Sequence, residues 1–149
     1  MNAFAHLPLF HSWPLAEQGR HFDLGFVMSS VITDAIAPAN LAELDVNHVG
    51  CWECDLADSK LIWSGGVYDM FGLPRGLPLT RDETVALYAE ESRAKMERLR
   101  AYAIRHRRGF TLDAEIRPAS GAPRWMRLVC APVLEGDRPI RLHGLKFIV

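Results

Sequence analysis

The sequence predicts an α+β fold: one five-stranded antiparallel sheet with helices packed on one face, preceded by a helical N-terminal extension. Three observations carry that reading. Apolar and polar residues alternate after residue 48 and again after residue 110, the period of a half-buried strand. Between these stretches the spacing turns helical, with a start signal at Thr80 and a stop signal at Gly109. The later strand runs are separated by glycine- and proline-bearing turns short enough to join only antiparallel neighbours.

Taken in order, residues 1–40 form an arm and residues 41–149 a domain. Phe4, Phe10, Trp13, Phe22 and Phe26 stand among prolines and histidines and read as irregular chain. Val27, Met28, Val31, Ile32 and Ile36 then recur at near-helical spacing and predict a short amphipathic helix. Ala37-Pro38-Ala39-Asn40 ends it, because proline cannot continue a helix interior and restricts the residue before it. A second short helix is predicted over 41–46.

From His48, Trp52, Cys54 and Leu56 fall on one side of a strand and Cys51, Glu53 and Asp55 on the other. Ala57-Asp58-Ser59 turns the chain into a second strand over 60–64, and Gly65-Gly66 opens a short helix that Gly72 stops. Thr80 with Glu83 has the spacing of a capping box and starts a helix to about Ala89. A longer helix follows to Arg108, acidic at its start and basic at its end, as the helix dipole favours. Three strands close the chain. Phe110, Leu112, Ala114 and Ile116 alternate with Thr111, Asp113, Glu115 and Arg117; a turn at 119–123 leads into 124–134, and a turn at 136–139 leads into 140–149.

At 149 residues the chain holds one domain of ordinary size. With 49% apolar residues, 23% charged residues and a net charge of −1, it is neither a disordered chain nor a generally basic nucleic-acid binder. No stretch reaches the ~20 apolar residues of a membrane helix. The N-terminus lacks a basic start, and Pro8 and Pro14 interrupt its apolar stretch, so it is not read as a secretory signal. Three cysteines without an export signal predict free thiols and a cytoplasmic protein. No P-loop, G-x-G-x-x-G, H-E-x-x-H or serine-hydrolase word is present, so no catalytic residue or metal ligand is assigned and an enzyme is not expected.

Beyond the order of elements, the words themselves resemble a known family. GCWECDL, then LIWS and YDMFGL, look like the opening of the PAS subfamily whose first strand reads G-x-W-x-x-D-L and whose second ends in W-S. FTLDAEIRPASGAPRWMRLVCAPV followed by GDRPIRLHGLKFIV resembles its closing meander, with E-x-R, a turn glycine, R-W and a glycine in the last strand. The resemblance covers residues 48–149. Two departures stand out: Tyr88-Ala89-Glu90-Glu91 replaces the H-P-D-D of many relatives, and the D-I-T after the last strand is absent. The chain stops where an output helix would begin, so it is either a stand-alone PAS module or a PAS module separated from its effector.

The resemblance implies a pocket between sheet and helices. Its expected lining is Trp52, Cys54, Leu112, Ala114, Ile116, Met126, Leu128, Cys130, Leu142 and Lys146 from the sheet, faced by Met70, Met96 and Leu99 from the helices. Lys146 occupies the alignment position of the flavin-contacting glutamine and points inward, where it either snorkels or meets an acidic group. The cysteine of the flavin-adduct relatives is missing from 80–95, and His106, among Arg105, Arg107 and Arg108, belongs to the helix end and not to a haem site. His143 is placed on the outer face of the last strand. Cys51 and Cys54 point to opposite faces, which argues against a redox pair or half a zinc site. Seven basic residues against Glu97 alone over 93–108 read as a solvated helix face.

By resemblance the function is signal perception or relay, with no cofactor assigned. The expected partners are a small ligand, a second copy of the chain and a regulatory protein such as a histidine kinase; nucleic acid and membrane are not expected. The alternative is a haem- or other cofactor-binding redox sensor, and a protein colourless above the protein absorption band speaks against it. A homodimer is expected through Val27, Val31, Ile32 and Ile36 in the arm and Leu145 and Phe147 on the sheet face opposite the pocket, since covering one apolar surface with the other removes both from water. The intramolecular alternative folds the helix back over its own sheet. Light scattering should find a dimer for the full chain and a monomer for a chain beginning near Leu41, whereas a full-length monomer at micromolar concentration rejects the dimer.

Overall fold

The computed structural model describes residues 8–23 and 44–149. Six strands form one antiparallel sheet: β1 (Phe10–Pro14), β2 (Val49–Asp55), β3 (Leu61–Trp63), β4 (Arg108–Ile116), β5 (Arg124–Glu135) and β6 (Arg138–Ile148), in the order β1-β4-β5-β6-β2-β3. The five expected strands are present at nearly the expected bounds. The sixth corrects the reading of the arm as irregular: Phe10 pairs with Leu112 and Pro14 with Arg108 along the β4 edge. Prolines flanking a run obscure a strand in sequence, yet an edge strand tolerates them because one row of its backbone groups faces away from the sheet.

The helices are α1 (Gln18–Phe22, entered through a 3-10 turn at Leu15–Glu17), α2 (Gly65–Met70), α3 (Arg81–Val85) and α4 (Glu90–His106). Residues 44–46 are also helical; the rest of the short helix read over 41–46 lies outside the described residues. The Thr80–Glu83 capping box forms as the spacing requires, each side chain meeting the other's backbone N–H. The helix it starts ends at Val85, short of Ala89, because residues 87–89 leave helical pairing to engage the β4 edge: Arg117 N–H donates to Leu87 O (2.7 Å) and Ala89 N–H to Glu115 O (2.9 Å). Ser92 Oγ accepts from Glu115 N–H (2.8 Å), pinning the first turn of α4 to the same place. At the other end α4 is stopped by Arg107 in the left-handed region (φ 54°), not by Gly109. Gly109 lies in β4, where an added Cβ would run into the Trp13 indole. It is glycine to admit that ring.

Strand parity distributes the core as the alternation predicts, but both faces of the sheet are interior. On one face, under α2 and α4, lie Trp52, Cys54, Phe110, Leu112, Ala114, Ile116, Met126, Leu128, Cys130 and Leu142. On the other, Val49, Cys51, Val129, Ala131 and Leu145 pack beneath Trp13, Phe22 and Leu44. The helices of the domain lie on one face as expected, and the N-terminal segment with α1 covers the other. Polar ties hold this second cover in place: Trp13 Nε1–H donates to Thr111 Oγ1 (3.1 Å), Leu9 N–H to Asp113 Oδ2 (3.1 Å), and Asp113 N–H to Leu9 O (2.9 Å). Asp113, 2% exposed, also accepts two bonds from Arg127 (2.7 and 3.0 Å).

Leu145 does point away from the pocket face, but it is fully buried beneath its own chain, and Phe147 is half-buried beside it. The stripe of Val27, Val31, Ile32 and Ile36 lies outside the described residues. Cys51, read as the side facing solvent, is 0% exposed, and burial pushes its thiol up to about 11.

Trp13→Ala and Trp52→Ala each remove a buried indole, one from either face, and each should destabilise the domain by about 3–5 kcal/mol in urea unfolding. Trp13→Ala should in addition raise the rate at which a thiol reagent modifies Cys51. Unchanged Cys51 labelling would show that Trp13 does not seal the outer face.

Candidate functional site

The inner face and its helices line a partly open cavity of about 50 Å³. β2 contributes Trp52 and Cys54, β5 Leu128 and Cys130, β6 Leu142 and Lys146, and α4 Met96. These belong to the lining expected from sequence. Met70, Leu99, Leu112, Ala114, Ile116 and Met126 share the same buried core without lining the cavity. Sequence reasoning missed Leu61 and Trp63 on β3, Arg81, Thr84 and Val85 on α3, Tyr88, Arg100 and Phe110. Parity offered a signal for Phe110 and Trp63. It offered none for Tyr88, whose direction is set by the break between α3 and α4 and by its bridge to Ile116.

Lys146 is the centre of the site. Its place on β6, two residues beyond Gly144, sends it inward, and it is 6% exposed. Its Nζ lies over four rings, 5.4 Å from the centroid of Trp52, 5.3 Å from Trp63, 5.1 Å from Phe71 and 5.8 Å from Tyr88. No carboxylate pairs with it among the described residues. Ring faces attract a cation by up to ~2 kcal/mol when desolvated, less than the several kcal/mol that burying an ammonium costs. The balance pushes the lysine down to about 7, with burial as the cause. Burial pushes the Tyr88 hydroxyl and the Cys130 thiol up, so both stay protonated at neutral pH and supply no counter-charge.

Two other features mark the cavity as incomplete. The Trp52 Nε1–H is buried without an acceptor among the described residues. Arg100, half-buried on α4, stands at the lining without an acidic partner there, whereas Arg81 is bridged to Glu97. The arrangement offers apolar walls, hydrogen-bond donors and positive charge.

Elsewhere the sequence readings can be placed directly. Cys51 and Cys54 sit in the outer and inner cores respectively. His106 is exposed, its ring 4.4 Å from Tyr102, and does not line the cavity. His143 is on the outer face as expected but buried, 5.3 Å from the Phe22 ring and 3.3 Å from Gln18 Nε2, and burial holds it down at about 4. No cluster of potential metal ligands occurs among the described residues, and no described helix is long and apolar enough to cross a membrane.

Comparison with solved structures finds the same fold in sensory domains. An RNA-binding light-oxygen-voltage receptor superposes with a TM-score of 0.60 at 17% identity over 67% of this chain, which spans only 29% of that receptor. The N-terminal domain of a diguanylate cyclase with a PAS/PAC sensor from Marinobacter aquaeolei gives 0.61 at 14% identity, covering 67% of this chain and 94% of that one. A sensory box histidine kinase/response regulator from Burkholderia thailandensis gives 0.62 at 18% identity, covering 72% and 82%. No family model and no curated protein matches the sequence. The domain has a PAS fold.

The lowered lysine makes a signed prediction. Below pH 7 the folded protein holds an ammonium in an apolar cage; from pH 7 toward the ordinary 10.5 the unfolded chain binds more protons than the folded one, so stability rises with pH across that window. Lys146→Met should be more stable than the parent at pH 6, and the gap should shrink by on the order of 2 kcal/mol by pH 9. A gap that stays constant from pH 6 to pH 9 would show that Lys146 does not titrate inside the fold.

Proposed function

We propose that this PAS-fold domain is a signal-perception module, not an enzyme, in which a small ligand in the inner cavity changes the packing of the sheet and a bound regulatory protein reads the change. One observation carries the reading: a partly open cavity whose lining holds a buried cation with no carboxylate partner and a buried indole N–H with no acceptor, among the described residues. Such groups are costly to leave unmet, and a ligand that meets them shifts the equilibrium between packings by its preference for one of them.

The sheet supplies a short route outward. Cys130 and Lys146 face the cavity, while their chain neighbours Val129 and Leu145 touch the outer cover built from Trp13 and Phe22. Displacing the inner side chains of β5 and β6 therefore moves the floor on which that cover rests. The output partner is a histidine kinase or comparable effector, a reading supported by the sensory proteins in which this fold recurs, with a homodimer as the unit that presents the cover to it.

Tryptophan indole N–H signals in NMR test the relay directly, since Trp52 reports the cavity and Trp13 the outer cover. Screening small molecules should yield ligands that shift both signals. A cavity ligand that moves Trp52 and leaves Trp13 untouched would sink the relay.

A further inference from the structure

We infer that the cavity takes a small aliphatic monocarboxylate, its carboxylate held by the Lys146 ammonium and the Trp52 indole N–H and its tail against Leu128, Leu142 and Met96. The inference rests on the reading of the cavity as a ligand site and names the chemistry of the ligand.

Charge comes first. Lys146, Arg81 and Arg100 line the cavity, and no aspartate or glutamate does. Glu97 engages Arg81 without lining it, which leaves two cations with no acidic partner among the described residues. A cationic or neutral ligand would leave that imbalance in place, whereas an anion removes it. Hydrogen bonding agrees: carboxylate oxygens are acceptors only, and the Trp52 indole N–H, buried without an acceptor among the described residues, and the Lys146 ammonium, which no carboxylate there pairs, are donors. The ammonium lies 5.4 Å from the centre of the Trp52 ring, within reach of one carboxylate group.

Size and shape then narrow the class. A volume of 50 Å³, at about 10–15 Å³ for each water-sized group, holds roughly four of them, which is the scale of acetate or propionate. Leu128, Leu142 and Met96 supply an aliphatic part of the lining, which suits a short hydrocarbon tail.

Binding should also take up a proton. Near pH 7 part of the Lys146 population is neutral, and a carboxylate selects the ammonium. The groups that face it from the surrounding elements are Cys54, Cys130, Tyr88, Arg81 and Arg100, with Glu97 behind Arg81. No aspartate or glutamate lines the cavity to compete with the ligand.

The test titrates the full chain with sodium propionate and, in parallel, with propionamide as the neutral isostere at matched ionic strength, following the Trp52 indole N–H signal. Propionate should shift that signal saturably, with affinity about tenfold weaker at pH 8 than at pH 6. Lys146→Met should abolish the binding, and Trp52→Phe, which keeps the ring and removes the N–H, should weaken it several-fold. If propionamide binds and propionate does not, the carboxylate inference is overturned while the cavity remains a ligand site. Undiminished propionate binding by Lys146→Met also overturns it, and a saturable response to neither compound overturns both readings.

Discussion

Alternation along β5 and β6 places Leu128, Cys130, Leu142 and Lys146 on one side of the sheet and Val129, Ala131, His143 and Leu145 on the other. Neither face of the sheet centre can be left in water, and the rest of the structure follows from that constraint. The inner face is covered by α2, α3 and α4 in the PAS manner. The outer face needs a cover of its own, and the chain supplies it from its N-terminal side, with Trp13 and Phe22 as the large side chains that fill it. The close fit of the Trp13 ring over Gly109 shows how closely the two pieces are matched: the position beneath the ring has no room for a side chain at all.

The inner core is less complete. Most of it is apolar and closely packed, yet it admits a lysine for which the surrounding aromatic rings only partly compensate. A methionine there would fill similar volume without the burial penalty. A side chain held at a cost to stability beside a buried indole N–H without an acceptor among the described residues is the observation on which the proposed ligand site rests. The same lysine joins the two halves of the molecule, because its strand neighbour Leu145 belongs to the outer core.

Much of this was legible in the residues. The strands from Val49 onward, the capping box and the inward direction of Trp52, Cys54 and Lys146 follow from period-two alternation and local signals, which depend on neighbours in sequence. What escaped depends on neighbours in space. Phe10–Pro14 has no strand signature of its own and becomes a strand because the β4 edge offers it partners. Gly109 looks like a helix stop until the Trp13 ring is placed above it. Tyr88 and Arg100 come to the cavity through the turn and angle of α4, which are set by bonds to Glu115 across the sheet edge. Cys51 was assigned to the correct face, but that face is interior only because a distant segment covers it.

The position of β1 bears on solubility. Without it the sheet would end at β4, whose backbone groups over residues 108–112 would lose their partners, the kind of edge along which chains add to one another. Among the described residues, the sheet ends at the five-residue β1, closed by Pro14, and the three-residue β3. Both are too short to template another strand well. A protease that clipped the chain just after Pro14 would expose the β4 edge and the apolar outer face together, turning a well-behaved domain into a seed for aggregation.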